Sequence, residues 1–97
     1  MADLVFEWDD AKAQSNLLKH GVDFATATEV FADSFGIENL DTRGDAYGEL
    51  RLVLTGMGGG SLLTIVYTER GESLRIISAR RATRREHDDY FLQNSQD

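Results

Sequence analysis

Six arginines (Arg70, Arg75, Arg80, Arg81, Arg84 and Arg85) fall between positions 70 and 85, with Glu72 the one acid among them. A guanidinium is a planar fork that meets phosphate oxygens two at a time and stays charged at any ordinary pH. A phosphate is therefore the ligand this segment would recognise. The plainer alternative is pairing with the acids the chain holds in surplus. Nearby or upstream stand groups able to move protons: Tyr67, Glu69 and His20. Cleaving RNA without a metal requires a base for the ribose 2′-hydroxyl, cations for the pentavalent phosphate and a proton donor for the leaving oxygen. Arginine supplies the cations. Glu69 or His20 fits the base, and His20 or Tyr67 the proton relay.

Other chemistries fit less well. Gly56-Met57-Gly58-Gly59-Gly60 is glycine-rich, but it lacks the Gly-Lys-Ser/Thr ending of a phosphate loop and sits between strand-like runs, where a hairpin tip is expected. Glu86-His87-Asp88-Asp89 is the only place where histidine and carboxylates adjoin. Consecutive side chains on a helix diverge by about 100°, so no metal site is expected there. The chain has no cysteine, which removes disulfides, thiolate metal ligands and thiol nucleophiles, and no Gly-x-Ser-x-Gly elbow is present. No cofactor is implied.

The 97 residues carry a net charge of −7, with 41% hydrophobic and 28% charged side chains, a globular composition expected to form one domain over residues 1–97. Taken whole, that charge argues against a polyanion as partner. By position it divides: residues 1–50 hold three basic side chains against eleven acidic, residues 51–97 seven against six. Screening over ~8–10 Å lets the arginine segment act as a local patch on an acidic body. No apolar run approaches the ~18 residues of a membrane span. The acidic N-terminal stretch is unlike a secretory leader, so a cytoplasmic protein is expected.

The elements that must position these groups are legible in the spacing. Leu4–Trp8 is a β-prone run, and Asp9 caps a helix from Asp10 to His20 that Gly21 stops. Ala13, Leu17 and Leu18 are its expected apolar face. Asp23 caps a second helix with Phe24, Ala27, Val30 and Phe31 in a stripe. Strands are expected at Phe35–Leu40, Tyr47–Thr55, Leu62–Thr68 and Leu74–Ala79, with Asp41–Asp45 as a turn. Thr83-x-x-Glu86 is a capping box opening a terminal helix that includes Tyr90 and Phe91. The order is β-α-α-β-β-β-β-α, an α+β domain with its helices on one face of a mostly antiparallel sheet. A regular last strand would put Arg75 and Arg80 on opposite faces, and a helix start at Arg81 would re-aim Arg80.

Several of these segments together resemble one family. Phe6-Glu7-Trp8-Asp9, Lys12, Asn16, Lys19-His20-Gly21-Val22 and Phe24 are similar to the N-terminal signature of BrnT-type toxins. The likeness continues through Val30-Phe31, Gly48-Glu49-Leu50-Arg51, Val66-Tyr67-Thr68-Glu69-Arg70, Arg75-Ile76-Ile77-Ser78-Ala79-Arg80, Ala82-Thr83, Glu86 and Tyr90. The resemblance implies a RelE-like fold and a ribonuclease toxin of a type II toxin–antitoxin module. It implies a BrnA-type ribbon-helix-helix antitoxin as partner, with operator DNA bound only through the complex. Carried over by position, it implies catalytic roles for His20, Glu69, Arg75 and Arg80, and RNA contacts from Lys19, Arg51, Tyr67 and Arg84. Trp8, Phe24, Phe31 and Ile76 read as core, and Glu86 as the capping partner of Thr83. The terminal helix departs from the family pattern, with His87-Asp88-Asp89 where members are commonly basic; the acidic surplus is read as a dock for a basic antitoxin. The alternative class is a non-catalytic interaction module of the same fold, acting in antitoxin binding and operon repression.

Overall fold

The computed structural model describes residues 4–41 and 50–95. The elements in chain order are β1 (Val5–Glu7), α1 (Asp10–His20), α2 (Phe24–Ala27), a 3₁₀ segment Thr28–Ala32, β2 (Ile37–Asp41), β3 (Arg51–Gly58), β4 (Ser61–Arg70), β5 (Ser73–Arg81) and α3 (Arg84–Asn94). The five strands form one sheet in the order β1-β5-β4-β3-β2. Neighbours from β2 to β5 run antiparallel, and β1 joins β5 in parallel. The expectation of an α+β domain with a mostly antiparallel sheet holds. The expected turn at Asp41–Asp45 and strand start at Tyr47 lie largely outside the described residues, as do Gly48 and Glu49 of the family-like stretch.

Local signals set the helix ends. The Asp9 side chain accepts the Lys12 N–H at 3.0 Å, and that of Asp23 accepts the Thr26 N–H at 2.7 Å. The second helix is shorter than its stripe implied, tightening after Ala27 into the 3₁₀ segment. Phe24, Ala27 and Val30 are nonetheless all buried against the sheet. The apolar face of α1 differs from expectation. Leu17 is 46% and Leu18 85% exposed, while Asn16 is 7% exposed. Ala13 and Asn16, three apart, are the positions that meet the sheet. The Asn16 amide donates to the carbonyls of Val22 (2.9 Å) and Ala79 (2.8 Å) and accepts the Ala79 N–H at 3.1 Å.

The glycine cluster is more than a hairpin tip. Gly59 and Gly60, with φ of 59° and 79°, form the two-residue turn between Gly58 and Ser61, a geometry favoured by right-twisted strands. Gly56 and Gly58 lie within β3, beneath the 3₁₀ segment. A Cβ on Gly58 would stand 2.9 Å from a Val30 methyl, and one on Gly56 3.0 Å from the other. Bare backbone there is what lets Val30 bury completely.

Alternation along the strands divides the sheet into two faces. One carries Leu54, Leu63, Ile65, Tyr67, Ile76 and Ala79, and packs against α1, α2 and the 3₁₀ segment to form the core. Trp8 and Phe31 are partly buried against it, Trp8 edge-on to Phe24 and Phe31 edge-on to Tyr67. The opposite face carries Thr55 and Thr64, and α3 lies there, since Glu86 of α3 hydrogen-bonds Thr64. The helices thus divide between the two faces, which corrects the single helical layer expected from the sequence. Tyr90 reaches from α3 to Asp33 beyond the sheet edge, its hydroxyl donating at 2.7 Å. Among the described residues no helix is long and apolar enough to cross a membrane.

Candidate functional site

The arrangement of the arginines turns on an irregularity in β5. Tyr67 stands opposite Ile76 but Val66 stands opposite Ser78, so Ile77 is an inserted residue in the ladder. One extra residue inverts the parity of everything beyond it. Arg75 consequently faces Thr68 and Arg80 faces Thr64, and those threonines lie four apart on β4. Arg75 and Arg80 therefore share a face, where a regular strand would have opposed them. Four strand residues span roughly 13 Å.

Arg51 joins them by the same alternation. Leu52 stands opposite Tyr67 with its side chain in the core layer, which turns Arg51 to the face of Thr68 and Arg75. At this end of the sheet a row crosses all five strands: Glu7, Arg75, Thr68, Arg51 and Asp41. Glu7 and Arg75 form an ion pair at 3.7 Å, with side chains 40% and 28% exposed. Thr68 donates its hydroxyl to the Leu50 carbonyl at 2.6 Å, which ties the start of β3 to this row.

At the other end, Arg80 is gripped by α3. Its two terminal nitrogens donate to the two Glu86 oxygens at 2.7 and 3.0 Å, a bidentate geometry. Glu86 Oε1 also accepts from the Thr83 N–H at 2.8 Å and from the Thr64 hydroxyl at 2.9 Å. Thr64 has a single hydroxyl proton, so in the 2.9 Å contact with Thr55 it accepts. Burial would push the Glu86 carboxyl up, but the bonds from Arg80, Thr83 and Thr64 overcome it and hold it at about 2. The Glu86 bond in turn raises the pKa of Arg80, against the opposing effect of burial. Arg84 is exposed in the first turn of α3, two residues before Glu86.

The other residues singled out from sequence are placed apart. Tyr67 is 5% exposed, its ring against Phe31 and its hydroxyl donating to Glu38. Burial, and then the bond to Glu38, push the phenol up. Glu69 is exposed and, two residues on, projects from that same helix-side face, opposite Leu74. His20 and Lys19 end α1 next to Gly21, which lines a small cleft with Arg81. Roughly 20 Å of strand separates Arg81 from Leu74, so His20 and Glu69 do not meet. The structure places Arg51 and Arg75 in one row of the sheet, on either side of β4, and Arg84 exposed at the start of the helix whose Glu86 grips Arg80. Asn16, Thr64 and Glu7 escaped the sequence reading of the site because their partners are fixed only by sheet register. Among the described residues no group of three or more His, Asp or Glu side chains could hold a metal ion.

Fold and site together define a small α+β protein with an arginine-bearing sheet face. The family model described as ribonuclease toxin, BrnT, of type II toxin–antitoxin system matches residues 8–86, and the chain belongs to that family. The match spans β2 to β5, both N-terminal helices and the Arg80–Glu86 clamp; β1 precedes it. No curated protein matches the chain.

Proposed function

We propose that the chain is an endoribonuclease toxin whose arginine-bearing sheet face binds the RNA backbone. In this reading Arg51 and Arg75 engage one phosphate region and Arg80 and Arg84 another, and the guanidinium charge stabilises the pentavalent phosphate without a metal. The observation that carries it is the inserted residue in β5, which gathers Arg75 and Arg80 on the face of Arg51. Membership of a ribonuclease toxin family supports the substrate class. Lys19 and His20, on α1 beside the cleft lined by Arg81, lie on the helix side of the sheet with Tyr67 and Glu69, behind the arginine face. The arrangement of helices and sheet is read as RelE-like, the partner as a BrnA-type ribbon-helix-helix antitoxin, and the compartment as the cytoplasm. Operator DNA is engaged only through the toxin–antitoxin complex.

Induction of the chain without antitoxin should arrest growth and fragment RNA, and the purified protein should cut RNA in the presence of EDTA. Arg75→Ala should relieve toxicity while leaving the thermal melt nearly unchanged, since its pair with Glu7 is long and partly exposed. Unchanged growth and intact RNA, with antitoxin binding retained, would establish the non-catalytic interaction module instead. Loss of cutting in EDTA would sink metal independence alone. A shift of operator DNA by the isolated chain would contradict the stated route to DNA.

A further inference from the structure

We infer that Glu7 is the general base of the cleavage step; the inference rests on the reading of the arginine face as an RNA-cleaving surface. Among the described residues that face carries three strand or clamp carboxylates, and the structure separates them. Glu86 is saturated by donors from Arg80, Thr83 and Thr64. Asp41 is 8% exposed. Glu7 is 40% exposed and its carboxylate stands 3.7 Å from Arg75. Glu69 is excluded by geometry, because it projects from the other side of the sheet.

The placement suits the chemistry. Phe6 stands opposite Leu74 and packs in the aromatic layer with Phe31, so β1 is anchored from the core side and Glu7 is aimed at the arginine face. A phosphate held by the Arg75 fork brings the adjoining ribose 2′-hydroxyl within hydrogen-bond reach (about 3 Å) of the neighbouring carboxylate. Glu7 takes the 2′-hydroxyl proton as the 2′-oxygen bonds to phosphorus. The P–O5′ bond breaks with its electron pair on O5′, which takes a proton from water. The products are a 2′,3′-cyclic phosphate and a 5′-hydroxyl end, and Glu7 returns its proton to solvent. Binding of the phosphate replaces the long Glu7–Arg75 pair with two contacts that each group makes to substrate.

The test measures turnover and RNA affinity separately in the full chain. Glu7→Gln keeps the side chain's size and should lower kcat by ~10²–10⁴-fold with RNA affinity within a few-fold of the parent. Glu7→Asp, which keeps the carboxylate on a shorter stem, should recover part of that loss. Arg75→Ala should lose both affinity and turnover. Thermal melts of each variant show that the fold is kept. Full turnover in Glu7→Gln, with Arg75→Ala inactive, overturns the inference and leaves the proposed function standing. A loss of affinity without a loss of kcat also overturns it, since Glu7 would then only orient Arg75. Failure of the parent chain to cut RNA removes both together.

Discussion

Asn16 shows how one polar side chain can fix the joint between a helix and a sheet. It is the buried residue of α1, and its amide answers a carbonyl of the following loop and both backbone groups of Ala79. Those buried backbone groups have no water to turn to once the amide is gone. Asn16→Ala should destabilise the protein by about 3 kcal/mol, read as a lower midpoint in urea unfolding. Asn16→Leu should do no better despite its greater apolar area, because the unmet carbonyls remain. A variant as stable as the parent would show that the amide contributes nothing. Glu86 acts at the same scale through charge. Its carboxyl sits at about 2 instead of the ordinary 4.5, so the stabilisation is complete above pH 4.5 and drains away as the pH falls toward 2. Solvent at the part-exposed pair screens that gain to about 1–2 kcal/mol. Stability measured against pH should lose this much of its acid limb in Glu86→Gln.

Between elements, close backbone approach and the inserted residue in β5 matter most. The 3₁₀ segment settles on β3 because Gly56 and Gly58 leave room for Val30. Gly58→Ala forces that buried methyl and the Thr26 carbonyl apart and should cost about 2 kcal/mol by the overpacking route. Gly60→Ala meets no neighbour, yet holds φ at 79°, and should cost about 1 kcal/mol through backbone strain alone. Chemical denaturation of both tells packing from strain, and equal costs would contradict the distinction. The family-like motif around Arg75 and Arg80 was plain in the sequence, and so were the strand and the capping box that flank it. Their common face was not. An inserted residue is invisible to a period-2 reading, because the ladder partner that reveals it lies on β4.

Charge is a property of the whole chain, and here the net −7 conceals a one-sided distribution. If Arg51, Arg75, Arg80 and Arg84 each contact one phosphate of single-stranded RNA, log K should fall against log salt with a slope no steeper than about −3, since Glu86 already balances the charge of Arg80. Arg75→Ala should flatten that slope by about 0.7, as measured by fluorescence anisotropy across a salt series. A slope that does not change would place the RNA elsewhere. The surplus acid slows encounter with a polyanion and favours a basic partner surface.

The residue sequence alone settled what depends on near neighbours. Helix caps at Asp9, Asp23 and Thr83, the order of strands and helices, the aromatic core residues and the arginine-rich segment all follow from spacing within a few positions. Only the tertiary structure decided what depends on partners distant in the chain. It put Arg75 on the face of Arg80, turned Glu69 away from it, replaced Leu17 with Asn16 at the core and carried α3 to the opposite face from α1. The physical reason is the same in each case: a side chain's direction is set by the register of the strand beside it. That register is fixed by packing across the whole sheet, not by the residue's own neighbours.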